Sequence, residues 1–104
     1  MTKIFFTRKD GRMIGFRLSG HAGCAIAGED IVCSALSTAS QMAVVAITEV
    51  AGQKADVQIR DGFLSLQMHQ PTHESDLIID SLYKTLSSIQ QSYKKYIKLE
   101  VKDV

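Results

Sequence analysis

The sequence predicts an α+β domain: a largely antiparallel sheet with two helices packed on one of its faces. Three observations carry this. Two pairs of segments with alternating apolar and polar residues are joined by Asp10-Gly11 and by Asp61-Gly62, dipeptides that suit a tight hairpin because glycine takes positive φ freely. Each pair is followed by a long segment in which apolar residues recur at helical spacing. A last alternation, Ile97, Leu99 and Val101 between Lys98, Glu100 and Lys102, closes the chain. The order is β-β-α-β-β-α-β, and residues 1–104 read as one domain, long enough for a single core.

Ile4, Phe5 and Phe6 open the first strand; in the second, Ile14, Phe16 and Leu18 alternate with Gly15 and Arg17. This second strand delivers Ser19-Gly20-His21 at its end. From Ile31 to Ala51 the chain is apolar nearly all round, so the helix there is expected to be buried on more than one face, under the sheet and second helix or under a second subunit. Asp30 is placed to cap its start and Gly52 its end. The second hairpin pairs Ala55 to Ile59 with Phe63 to Met68, with Val57 and Ile59 expected inside. Pro71 stops the strand, Thr72 or Ser75 caps the second helix over 76–94, and Ile78, Leu82, Leu86, Ile89 and Tyr93 form its expected buried stripe. The two hairpin-plus-helix units share little beyond the Asp-Gly turn, so they are not a repeat.

Hydrophobic residues make up 45 % of the chain and charged residues 22 %, with a formal net charge of +1. These are the proportions of an ordinary globular protein. So even a charge balance gives no expectation of direct nucleic-acid binding. No apolar run with transmembrane character is expected and the start of the chain lacks the pattern of a signal peptide, so the expected location is cytoplasmic, away from membranes. In that reducing compartment Cys24 and Cys33 are expected as free thiols, with a regulatory disulfide left open.

The chemistry concentrates between Gly20 and Ser37. Behind an N-cap at Asp30, Cys33 falls at about the third helical position, where unsatisfied N–H groups favour a thiolate; a nearby imidazolium at His21 acts in the same direction. The same N–H groups suit an oxyanion. Ser37, four residues on, shares the Cys33 face. Asp30 has three readings: cap alone, cap and orienter of His21, or a carboxylate that meets a basic substrate. Ala22 to Gly28 is expected to be mobile without substrate and to close over it. Other readings stand beside this one. Cys33 is a core residue in the first, since free cysteine is among the most buried residue types. A metal site would need His21, Cys24 and Cys33 with His69 or His73, but neither the Cys24 to Cys33 spacing nor a pair of histidines straddling Pro71 fits a zinc pattern. No phosphate loop or cofactor motif is present, and no cofactor is expected.

Gly20-His21-Ala22-Gly23 and Asp30-Ile31-Val32-Cys33 with Ser37 resemble the signature of the ribosomal-processing cysteine protease Prp family, and the resemblance covers essentially the whole chain. It implies a cytoplasmic bacterial endopeptidase, a homodimer with a Cys/His dyad, that removes a short N-terminal extension from a large-subunit ribosomal protein, number twenty-seven in the usual naming. By the same resemblance Cys33 is the nucleophile and His21 the general base, Gly20, Asp30 and Ser37 are supporting or substrate-binding positions, and the substrate is a peptide with an aromatic residue before the cut and lysines shortly after it. Cys24 and Ile26 depart from the family pattern. Two alternatives remain: a non-enzymatic ribosome-associated binding module with a core cysteine, and a thiol redox switch using Cys24 and Cys33.

Overall fold

The structure is a computed structural model that describes residues 1–20 and 27–104, with side chains described through residue 20 and from residue 31 onward. Its elements are β1 (Thr2–Lys9), β2 (Arg12–Ser19), α1 (Ala27–Val45) with a π-helical turn (Ala46–Val50), β3 (Ala55–Arg60), β4 (Phe63–Met68), α2 (His73–Ser92) and β5 (Ile97–Asp103). The five strands form one sheet in the order β3-β4-β2-β1-β5. Every pairing is antiparallel except β1 with β5, which is parallel because α2 carries the chain back across the sheet. The expected α+β architecture is therefore the one observed.

The core lies between the helices and one sheet face. Ile4, Phe6, Phe16, Leu18, Leu64 and Leu66 supply that face and are almost fully buried. Phe6 sits at its middle, edge-on to Tyr83 of α2 at 5.1 Å and tilted against Phe16 at 6.1 Å. Asp10 and Gly11 both have positive φ, 53° and 78°, as the first hairpin requires. Gly52, at φ 65°, follows the π-helical turn, and Gln53 N–H donates to the Ile47 carbonyl over it at 2.9 Å.

Several elements differ from expectation for identifiable reasons. The strict alternation of β2 breaks at Ile14, because the β1–β2 register shifts between Thr7 and Arg8; Met13, not Ile14, thereby joins the core cluster. Ile59 is exposed, because β3 is an edge strand that the helices do not cover. α2 starts earlier than expected, with a reciprocal capping box in which Thr72 and Ser75 exchange hydrogen bonds of 3.0 and 2.8 Å. That box buries Ser75; of the expected stripe Leu82 and Leu86 are buried together with Ile79, Ile78 and Ile89 pack against the core, and Tyr93 is exposed because the helix ends at Ser92 and Tyr93 leaves helical geometry as its C-cap.

α1 also starts earlier, at Ala27, which puts Asp30 inside the helix and not at its cap. Glu29 and Asp30 then fall in the first turn of the helix. The burial of α1 is one-sided. Val32, Cys33, Leu36, Ser40, Ala43, Val44 and Ile47 turn inward, whereas Ile31, Ser34, Ala35, Thr38, Met42 and Val45 are exposed. Ile31–Val50 is, against expectation, long and apolar enough by composition to cross a membrane, with a mean hydropathy of 1.6; 39 % of it is buried against the rest of the fold.

Candidate active site

The site is built where three chain segments reach the same end of the sheet. β2 ends beside β1, with Ser19 paired to Lys3 and to Phe63. Gly20 then takes φ 81°, and its N–H donates to the Gly62 carbonyl at 3.1 Å. Only glycine fits: besides the positive φ, a Cβ there would come within 2.9 Å of the Met1 carbonyl oxygen. Gly20 thus closes β2 with a left-handed backbone next to the start of β1 and directly precedes His21 in sequence. His21 and Cys24 lie outside the described residues, as do the side chains of residues 27–30. Of the loop expected to gate the site, Ala22 to Gly28, residues 22–26 also lie outside them, whereas Ala27 and Gly28 belong to α1 and not to a loop, which corrects that part of the expectation.

The second segment is α1. Cys33 is its seventh residue, in the second turn, and only 7 % exposed. The expectation that Cys33 stands in the first turn, with its own N–H available to an oxyanion, is corrected: in the second turn that N–H belongs to the i to i−4 ladder, and the dipole effect has fallen off. The sulfur points under the end of the sheet, 3.6 Å from the hydroxyl oxygen of Thr2.

Thr2 is the third contributor, and its role was not recognised in the sequence. It is 1 % exposed, its N–H donates to the Tyr96 carbonyl at 2.8 Å, and it precedes Lys3, the partner of Ser19. A buried hydroxyl needs a hydrogen-bonding partner, and Cys33 is the side chain it meets. The available signal was parity: Thr2 shares the inward alternation of Ile4 and Phe6, a polar residue on an otherwise apolar face. Thr2 therefore ties the Cys33 helix to the start of β1, the neighbour of the β2 end that precedes His21 in sequence.

Cys33 is disulfide-bonded in this structure, which corrects the expectation of a free thiol there; the other cysteine of the chain, Cys24, lies outside the described residues. Ser37 lies one turn beyond Cys33, half-buried, and its hydroxyl accepts a hydrogen bond from Gln41 Nε2 at 2.9 Å. His69 and His73, weighed as metal ligands, follow β4 at the far end of the sheet from Thr2, and His69 Nε2 pairs with Asp56 at 2.6 Å. They do not approach Cys33. The burial of Cys33 alone also suits a core residue, so its chemistry rests on what else converges on it.

Comparison with known proteins supplies that second line. The ribosomal processing cysteine protease Prp of Staphylococcus aureus is 26 % identical over 96 residues, spanning 89 % of this chain and 91 % of that protein. A crystal structure of the essential S. aureus ribosomal processing protease Prp with a covalently linked product peptide superimposes with a TM-score of 0.86 at 26 % identity, over 98 % of this chain and 100 % of that one. The fold is also that of SMU.848 from Streptococcus mutans, with a TM-score of 0.88 at 22 % identity, covering 100 % of this chain and 96 % of that one. The family described as cysteine protease Prp matches residues 1–98, from the strand that carries Thr2 through both helices, and the chain accordingly belongs to that family of cysteine proteases.

Proposed function

We propose that this protease removes the N-terminal extension from the precursor of large-subunit ribosomal protein number twenty-seven, with Cys33 as nucleophile and His21 as general base. The observation that supports the reading is the convergence at Thr2: the Cys33 sulfur lies 3.6 Å from the Thr2 hydroxyl at the start of β1, next to the end of the paired β2, after which Gly20 precedes His21 in sequence. The covalently linked product peptide in the S. aureus relative is what a nucleophilic enzyme of this kind leaves behind.

In the reduced enzyme, His21 takes the Cys33 proton and the thiolate attacks the scissile carbonyl. The tetrahedral intermediate collapses as His21 returns the proton to the leaving amine, which departs as the new N-terminus of the ribosomal protein. Water, deprotonated by His21, then hydrolyses the thioester to release the extension as a carboxylate and restore Cys33. Gly20 sets the path into His21, and Asp30 and Ser37 support the site or meet the substrate. The location that keeps Cys33 reduced is the cytoplasm. Incubating the purified precursor with the reduced enzyme should give one cut within the N-terminal extension, read by mass spectrometry. A precursor that stays intact under those conditions would overturn the substrate assignment.

The enzyme acts as a homodimer through the exposed side of α1. Ile31, Ser34, Ala35, Thr38, Met42 and Val45 form one stripe, and Ile31 and Met42 are 69 % and 68 % exposed. No charged residue occurs from Ile31 to Thr48. The stripe has bulky residues toward its ends and small ones at its centre, so an antiparallel second copy sets the small centres against each other, where the helices approach closely, and the Ile31 end of each helix against the Met42 and Val45 end of the other, the self-complementarity a two-fold interface needs. Thr38→Glu puts two carboxylates face to face near the axis. Light scattering should show a dimer for the parent and a monomer for the variant; a monomeric parent at tens of micromolar would exclude this interface.

A further inference from the structure

We propose that the outer face of the sheet, the one without helices, is a platform for single-stranded RNA. The inference stands on that face alone and does not depend on the protease substrate.

The register fixes which side chains point outward. Phe5 lies beside Arg17, Arg17 beside Ser65, and Ser65 beside Gln58; one step along, Thr7 lies beside Gly15 and Lys102, and one step the other way Phe63 lies beside Ser19 and Arg60. Two aromatic rings therefore stand on a face otherwise made mainly of cations, hydroxyls and amides. The chain as a whole has 12 basic and 11 acidic residues, yet the fold sorts them unevenly. Lys3, Arg17, Arg60, Lys98 and Lys102 share this face with only two acids, and both acids have partners: Asp56 with His69 at 2.6 Å and Glu100 with Lys98 at 3.4 Å. Arg17, Arg60 and Lys102 have no carboxylate partner among the described residues. Instead they lie against the rings. The Arg17 guanidinium is 5.1 Å and the Lys102 ammonium 4.2 Å from the Phe5 centroid, and the Arg60 guanidinium is 4.0 Å from that of Phe63. These are cation–π contacts at an exposed surface, weak enough for a ligand to exchange.

Gly15 adds shape. A Cβ there would come 2.5 Å from Gln67 Oε1 and 2.6 Å from the Leu66 carbonyl oxygen, so glycine is what lets the Gln67 amide lie down across β2 on this face. Phe5, Thr7, Arg17, Gln58, Phe63 and Lys102 line a depression on the same face.

Single-stranded RNA matches each part of this inventory. Phosphates pair with the uncompensated cations, bases stack on the two rings or on the guanidinium planes, and the Gln58 and Gln67 amides meet base edges. A duplex hides its bases from rings on a flat sheet. A second copy would bring cations against cations. An acidic peptide would satisfy the charges but has no use for two separated aromatic platforms.

The test is fluorescence anisotropy of labelled oligouridylate titrated with the full-length protein in reductant. Micromolar binding is expected, weakening steeply between about 50 and 200 mM salt. Arg17→Gln with Arg60→Gln should weaken binding about tenfold or more and flatten the salt slope, while Phe5→Leu and Phe63→Leu should each weaken it about tenfold with the slope unchanged, because stacking is lost and charge kept. Melting temperatures of the variants serve as the folding control, and the Arg variants, exposed in the fold, carry the test if a Phe variant is unstable. Absence of saturable binding would overturn the proposal. So would folded Phe variants that bind like the parent, or competition by polyglutamate or duplex RNA as effective as that by unlabelled oligouridylate.

Discussion

Cys33→Ala is expected to abolish precursor cleavage while leaving the fold intact. The loss should be on the order of 10^6 in kcat, the size seen when a nucleophilic protease loses its nucleophile, because no other group can form the acyl intermediate. The protein should still fold, at reduced stability, since the substitution removes one sulfur from a site at the end of the sheet and leaves the Ile4, Phe6, Phe16 and Leu18 layer untouched. The hydroxyl of Thr2 loses its sulfur partner, a cost within about 1 to 3 kcal/mol for a buried polar group left unpaired. Both enzymes are compared in reductant, so that no disulfide contributes to either melting temperature. Residual cleavage by folded Cys33→Ala above about a thousandth of the parent rate would remove Cys33 from the nucleophile's role, whatever the family resemblance says.

The legible parts of this molecule are those whose signal is local. Asp10-Gly11 specifies a hairpin through the φ that its turn demands, and the periods of α2 and β4 announce themselves within a few residues. Gly20 and Cys33 could be picked out because a strand end, a glycine and a cysteine occur in one short stretch. What was misread depends on interactions the sequence does not display. Asp30 has a cap's chemistry, but whether it caps depends on whether Ala27 to Glu29 join the helix, a contest between weak propensities that the rest of the fold decides. Tyr93 continues the stripe of Ile78, Leu82, Leu86 and Ile89 in sequence, but the helix ends one residue before it, so its side chain leaves the buried face. Ile59 looked like an inward residue because alternation reveals a strand but not that the strand is at the sheet edge. Thr2 was missed because its importance comes from Cys33, thirty-one positions away. The charge asymmetry of the outer face is hidden in the same way, since it exists only after five strands are placed side by side.

Catalysis should depend on reductant in an all-or-none manner. With Cys33 in a disulfide there is no thiolate to attack a carbonyl, so enzyme prepared without reductant should leave the precursor uncut. Dithiothreitol supplies two electrons and, with two protons, converts the disulfide to two thiols while closing to its own cyclic disulfide. Activity should then appear in step with the thiols titrated by a chromogenic thiol reagent, and reoxidation should take it away. Cys24→Ser gives the decisive arm. It leaves Cys33 with no intrachain partner, so this variant should cut the precursor with or without dithiothreitol, whereas a redox switch whose function requires both cysteines would be lost in it. Full cleavage by parent enzyme in which no thiol can be titrated would show that the disulfide-bonded form is not a latent state. A Cys24→Ser enzyme that still required reductant would place the control on an intermolecular bond at Cys33, a species that mass spectrometry of the unreduced protein separates by its doubled mass.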